Sequence, residues 1–518
     1  MALSLLLVLA AALAFRLPGL GARPFHGDEA NQAVKAGILL ETGRYVYDPH
    51  EHHGPTLYYG VLPLLWVAGV EAIDQADERL FRLLPVVFGA GVALLVFGLP
   101  GLGLLDALIA ALFIALSNAM VFYSRYCIQE MMLVFFAQAA LLCMARWRLR
   151  PGWGWALLAG LSLGLAHATK ETSVLLGAGM VAAYAAALWL RPVPAAAVPS
   201  ARQYARGTVV AAAAALIVSV VLFSAFFTHA RGPLDSWLTY ATYLNRAEGH
   251  GSAALHDKPW HYYFALLLHT HRMEGPRWSE AFALGCAVLG LLRALCFPAS
   301  FRAPGGAFMA CLIAVYALLV TAVYTLIPYK TPWNLLPFWQ PLLVLAGIGA
   351  AWPLAWGAGW RPSVRMGWRI GCVVLIALGL AHAARQSYQG SFVYAADVRN
   401  PYVYAHTSTA MLRLTRRIDE LSAVSPQGRE LHINILKPDG DYWPLPWYLR
   451  GYGRVGYWTQ PPERVDADVI IADSRLGDYV QERLEGEYQF EFHALRPEVK
   501  LLVFIRKPLW EAFMETRR

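Results

Sequence analysis

Apolar runs of bilayer-crossing length constrain this chain more than any other feature of its sequence. A helix needs about 20 predominantly apolar residues to cross hydrocarbon. Runs near that length lie at about 2–20, 83–99, 104–122, 128–145, 153–169, 172–190, 208–228, 279–297, 307–327, 334–357 and 367–386. Eleven spans of this kind predict a polytopic, all-α membrane domain. Composition agrees: 15% of the 518 residues are charged, against about 25% in soluble proteins. The start, MALSLLLVLAAALAF, resembles a signal-peptide core but has no basic segment before it. It reads as a retained first helix.

Charge sets the expected orientation. Four linkers carry arginine and no Asp or Glu: Arg146/Arg148/Arg150, Arg191/Arg202/Arg206, Arg293/Arg302 and Arg361/Arg365/Arg369. Basic linkers stay in the cytoplasm. All four fall on that side, with a cytoplasmic N-terminus, only if the apolar stretch 57–73 does not cross. That stretch holds Pro63 and is expected to lie in the outer interface. The outer face then receives loop 21–82, the turns at 123–130, 169–171 and 328–333, loop 229–278 and the C-terminal tail. Asp106, near a cytoplasmic end, is the acidic exception. The Ala/Pro-rich segment VPAAAVPSA (193–201) reads as a cytoplasmic linker.

From about residue 390 the pattern changes. LHINIL (431–436), DVIIAD (468–473) and KLLVFI (500–505) read as strands, alternating with helical patterns at 407–422 and 475–485. The expected division is a membrane domain over 1–390 and a small extracytoplasmic α/β domain over 391–518. Six cysteines lie in or beside apolar runs without a CxxC pair, and read as small core residues. No basic cluster interleaved with aromatics points to nucleic acid.

Three groups on the expected outer face could carry chemistry. In RPFHGDEANQAV, Asp28 and Glu29 follow the first span; Asp28 could serve as a general base, with Glu29 orienting it. Equally, both could be charges favouring the first turn of a helix in EANQAVKAGILLETG. Arg79, Arg82, Arg125, Lys170 and Lys330 sit at outer ends of spans, where cations are less expected. They could hold a lipid phosphate, or be interface anchors and local pairs such as Arg125–Glu130 and Lys170–Glu171. Ten of the 15 histidines fall in the two large outer loops. His52 and His53, with Asp28, could ligate a divalent metal, although no fixed-spacing metal motif is present. Tyr58, Tyr59 and other outer aromatics suit either sugar stacking or an interface belt.

The order of these motifs is similar to that of a known group. GDE, then HHGPTLYY, RLFRLLPVVFGAGVALLVF, YSRYCIQEMMLVFF and GLSLGLAHATKETSVLL resemble the GT-C glycosyltransferases of the protein O-mannosyltransferase and lipid A aminoarabinose transferase type. IPYKTPWNLLPF and WPLPWYLRGYG resemble the flippase-activity-associated membrane proteins of glycosylation clusters. The likeness spans roughly 20–460. It implies a GT-C fold with interfacial helices in the first outer loop and Asp28 as catalytic base. It also implies Arg82, with Arg79, before a proline-containing span, and Ser124, Arg125 and Glu130 after the third. Lys170 follows the fifth span. The donor implied is a polyprenyl-phosphate-linked sugar and the acceptor a hydroxyl on protein, lipid or glycan, among membrane lipids. Two departures stand out: HHGP, with His53, replaces a usual lysine before the prolines, and Glu130 replaces a usual aspartate. The expected function is an inverting glycosyltransferase of the cell membrane. The rival expectation is a non-catalytic protein that binds lipid-linked oligosaccharide or assists its flipping.

Overall fold

In hydrocarbon every backbone N–H and C=O must be satisfied within its own segment, which leaves long apolar runs no option but helix. The computed structural model of the chain describes residues 1–50, 53–191, 199–247 and 256–518. All eleven expected runs coincide with helix. Among the described residues, seven helices have the length and composition to cross: Glu78–Gly98, Glu130–Leu149, Ser173–Leu190, Ala201–Phe223, Gly306–Leu326, Pro332–Ala355 and Pro362–Val393. The other four are shorter, at Ala2–Arg16, Leu104–Leu116, Trp153–His167 and Ala281–Cys296. The run 104–122 is broken at Ser117, which ends one helix and caps the next, Asn118–Tyr123. Trp339 Nε1 donates to the Ser117 hydroxyl at 3.0 Å and fixes the break. The chain is a multi-pass membrane protein.

The stretch 57–73 contributes a helix over Thr56–Val67, with Pro63 inside it. Twelve residues rise about 18 Å, well short of a hydrocarbon core about 30 Å thick. Most of the linker 193–201 lies outside the described residues.

Residues group into two compact units. The first comprises Met1–Leu20, Arg44–Val61 and Arg82–Tyr404. At its centre lies Leu336–Ala351, buried at every residue. Neighbouring helices approach it closely because glycine faces them: a Cβ on Gly349 would stand 2.0 Å from the Cys286 carbonyl oxygen. The linker arginines close helix ends. Arg191 donates to Ala294 O at 2.9 Å and Leu295 O at 2.6 Å, and Arg146 to Gly98 O at 2.6 Å. These carbonyls have no intrahelical partner of their own. Asp106, the acidic exception, is neutralised by Arg293 Nη1 at 2.8 Å.

The second unit comprises Gly21–Gly43, Leu62–Phe81 and Ala405–Arg518. Its sheet has five strands: β1 Ile433–Leu436, β2 Val455–Trp458, β3 Val469–Asp473, β4 Tyr488–Arg496 and β5 Val499–Arg506. Their order is β2-β1-β3-β5-β4. β1 runs parallel to β2 and β3, with Ile433 opposite both Val455 and Val469; β5 runs antiparallel to β3 and β4. β1, β3 and β5 are the three apolar runs expected from sequence. β2 and β4 were not expected: β2 is short and contains Gly456, and β4 is an edge strand carrying Glu491 and His493 among its aromatics. Helix Ala410–Val424 buries Met411, Leu414, Ile418 and Leu421 at helical spacing against Ile433, Ile471 and Val503. The second helical pattern shrinks to Gly477–Gln481.

Candidate functional site

Two adjacent residues in a tight turn organise the first unit. Lys170 and Glu171 lie between helices Trp153–His167 and Ser173–Leu190, and both are buried. They do not pair with each other. Lys170 donates to Glu130 Oε1, with Asn334 Oδ1 at 3.5 Å. Glu130 opens helix Glu130–Leu149, where the positive end of the helix favours a carboxylate. Glu171 instead meets His53 Nδ1 at 2.7 Å, with the Tyr47 hydroxyl at 3.5 Å. Burial by itself would push the Lys170 pKa down, but Glu130 outweighs it and holds the ammonium charged above its ordinary range. Burial would likewise push Glu171 up, yet His53 and Lys170 keep its carboxyl below the usual value.

Arg125 was expected to pair with Glu130, but its guanidinium, like that of Arg82, meets backbone carbonyls. Arg125 Nη1 donates to Arg16 O at 2.8 Å and Pro18 O at 2.7 Å, and Nη2 to Gly19 O at 3.2 Å. Its guanidinium lies 4.7 Å from the Phe392 ring centroid. Arg82 Nη1 donates to Leu20 O at 2.5 Å. The Arg125 guanidinium thus gathers carbonyls from the last helical residue, Arg16, and the turn that follows it, and Arg82 takes a carbonyl at the end of that turn. Lys330 is also buried and donates to Lys258 O at 3.1 Å and to Ile327 O. Burial pulls its pKa below the ordinary lysine value against the opposing pull of Asp257.

Tyr58 is buried, and among the described residues its hydroxyl has no hydrogen-bond partner. Tyr45 lies 5.4 Å from Tyr58 and 5.8 Å from Tyr59, ring centre to ring centre, and Tyr59 meets Phe226 edge-on. These rings form a cluster beside the His53 pair in sequence.

The acidic motif belongs to the second unit, and the structure separates its two members. Helix Gly27–Thr42 starts with a capping box: His26 Nδ1 accepts from Asp28 N at 3.1 Å, and Glu29 Oε2 accepts from His26 N at 3.0 Å. Glu29 also meets Arg23 Nη2 at 3.3 Å and is fully buried. It caps this helix. Asp28 differs. Its side chain is 53% exposed, and its carboxylate lies 3.7 Å from His26 Nδ1. Acceptance at Nδ1 places the proton of a neutral His26 on Nε2. Arg79, expected with the other cations, is 72% exposed and 3.7 Å from Asp77.

The metal reading gains no support. Among the described residues no group of three His, Cys, Asp or Glu side chains is placed to hold an ion. His52 lies outside them.

Sequence reasoning missed two groups. Asn334 reaches toward Lys170 from the segment after Lys330. Glu280 is buried where it accepts from Ala119 N and the Tyr402 hydroxyl, both at 3.0 Å. The signal for Glu280 was a lone carboxylate opening an apolar run.

Three comparisons bear on this arrangement. The family model for dolichyl-phosphate-mannose-protein mannosyltransferase matches residues 58–240. The crystal structure of ArnT from Cupriavidus metallidurans in the apo state superposes with a TM-score of 0.62 at 15% identity, covering 97% of this chain and 98% of that one. The same protein bound to undecaprenyl phosphate gives 0.54 at 14% identity, with 97% and 98% covered. No curated protein matches the sequence. The architecture, from the first helix to the C-terminal sheet, is the ArnT-like GT-C fold.

Proposed function

We propose, with the ArnT-like GT-C fold as premise, that this membrane protein is a glycosyltransferase that moves a sugar from a polyprenyl-phosphate donor to an acceptor hydroxyl outside the cell membrane. The observation that carries the reading is the fold itself, matched over 97% of the chain. Asp28 takes the proton of the acceptor hydroxyl as its oxygen attacks the anomeric carbon. The bond from that carbon to the phosphate oxygen breaks with inversion, and its electrons leave with the polyprenyl phosphate. A phosphate leaving group needs no proton but does need positive charge. Arg82, Arg125 and Lys170 are assigned that role, with Lys330 and Arg79 as further candidates. Glu130 keeps Lys170 charged, and His53 with Tyr58 and Tyr59 frames the sugar. What supports Asp28 over Glu29 is that Glu29 is consumed by capping while Asp28 stays open to solvent. No step is routed through a metal.

The test is reconstitution of the purified protein in vesicles with a short-chain polyprenyl-phosphate sugar, following release of free lipid phosphate. Turnover supports the transferase. Saturable donor binding with no release in the presence of candidate acceptors would favour the oligosaccharide-binding alternative. Orientation is checked separately, in a cysteine-free background. An impermeant thiol reagent applied to intact cells should label a cysteine at Asp74 and spare one at Arg361.

A further inference from the structure

The motif WPLPWYLRGYG, over 443–453, has no role in the chemistry above, yet its side chains hold the loop that carries Asp28. Phe25 lies one residue before the cap of helix Gly27–Thr42. Its backbone N–H donates to the Tyr448 hydroxyl at 2.9 Å. Its ring lies 4.9 Å from that of Trp447, and Phe81 closes the cluster at 5.3 Å from Trp447. Trp447 is fully buried, and its Nε1 donates to Glu78 Oε1 at 3.2 Å. Arg450 stacks 3.8 Å over the Trp447 ring and donates to Ile73 O at 3.0 Å and Ala76 O at 2.6 Å. Even Gly27, the first helical residue, meets this motif: a Cβ there would lie 3.4 Å from Trp443 Cβ. The grip falls on both parts of the first loop that belong to this unit, just ahead of Asp28 and at 73–81.

We infer that Trp447, Tyr448 and Arg450 are positioning residues, and that the C-terminal domain serves the reaction by fixing where the helix bearing Asp28 begins. This rests on the reading of Asp28 as the base. The physical reason is that a helix start is placed by the residues that lead into its cap. Buried aromatic contacts and a charge-assisted grip on backbone carbonyls leave those residues little freedom. A base displaced by about 1 Å costs turnover far more than it costs binding.

The experiment uses the full chain in detergent or vesicles. Tyr448→Phe removes one hydroxyl and keeps the ring. Arg450→Lys keeps the charge and loses the forked grip. Arg483→Ala, on an exposed part of the same domain, is the control. Two readouts are taken on each: amide hydrogen exchange over residues 25–31, and kcat with KM for the lipid donor. Both test variants are expected to speed exchange there and to lower kcat about tenfold with KM moved less than about twofold. The control should move neither. Unchanged exchange at 25–31 would overturn the clamp. Faster exchange with unchanged kcat, where Asp28→Asn is inactive, would overturn the positioning role. Turnover that survives Asp28→Asn would instead overturn the reading of the base, and the exchange readout would still decide whether the clamp exists.

Discussion

Acids near helix starts, in one place of each unit, are treated differently. In the turn at 168–172 and the helix start at 130, each acid is buried against its own partner: Glu130 with the Lys170 ammonium, Glu171 with the His53 ring. At the start of helix Gly27–Thr42, Glu29 is buried against Arg23 but its neighbour Asp28 is left half in solvent. A buried and paired carboxylate holds charge in place and resists protonation. One that is open and uncommitted can take a proton. Composition alone shows acids near span ends in both places. Only their partners show the difference: Glu29 is held by Arg23 and the cap, while the Asp28 side chain stays open to solvent.

The sharpest way to break that contrast is Asp28→Asn. It should leave the protein folded and inserted while lowering transfer about 10²–10⁴-fold, the usual worth of a general base. Unchanged turnover would make Asp28 no more functional than Glu29. Next in size is Glu130→Gln, which strands the buried ammonium of Lys170. The expected loss is about 3–5 kcal/mol, read as thermal unfolding in detergent. Replacing both partners by apolar residues should recover much of it, and a single variant as stable as the parent would show that the pair is not needed.

A third prediction extends the comparison to the C-terminal sheet. Asp473 is held well below the ordinary carboxylate value of 3.8, first by Arg475 and then by Lys437, against the upward push of burial. A depressed carboxyl stabilises the fold in full above its unfolded value, and that contribution is lost as pH falls through the folded one. Asp473→Asn should therefore be less stable than the parent at neutral pH, with the gap closing below about pH 3.8. A gap that widened on acidification would have the wrong sign. The smallest effect is expected for His26→Ala, which removes a cap worth about 1 kcal/mol. Its mark would be faster amide exchange in the first turn after residue 26, and unaltered exchange would show that Glu29 alone suffices.

Much of the architecture was legible in the residues. Eleven apolar runs became helices because hydrocarbon offers the backbone no other partner. The strands at 433–436, 469–473 and 499–506 were visible as apolar runs because both faces of β1 and β3 are buried. β2 and β4 escaped notice because an edge position lets glycine and charge into a strand. The motif order from GDE through IPYKTPWN already resembled the GT-C group, and the architecture is ArnT-like.

Partner choice was not legible. Sequence adjacency made Lys170–Glu171 and Arg125–Glu130 the obvious pairs. A turn points neighbouring side chains apart, so Lys170 reaches a residue 40 positions away and Glu171 one 118 positions away. Arg82 and Arg125 went to carbonyls at and after the end of the first helix for the same reason of proximity in space. Local periodicity and charge thus determined which segments are helix, strand or loop. Tertiary structure decided which partner each buried acid of the first unit meets and that the tail motif grips the first loop, because those facts depend on contacts between residues tens to hundreds of positions apart.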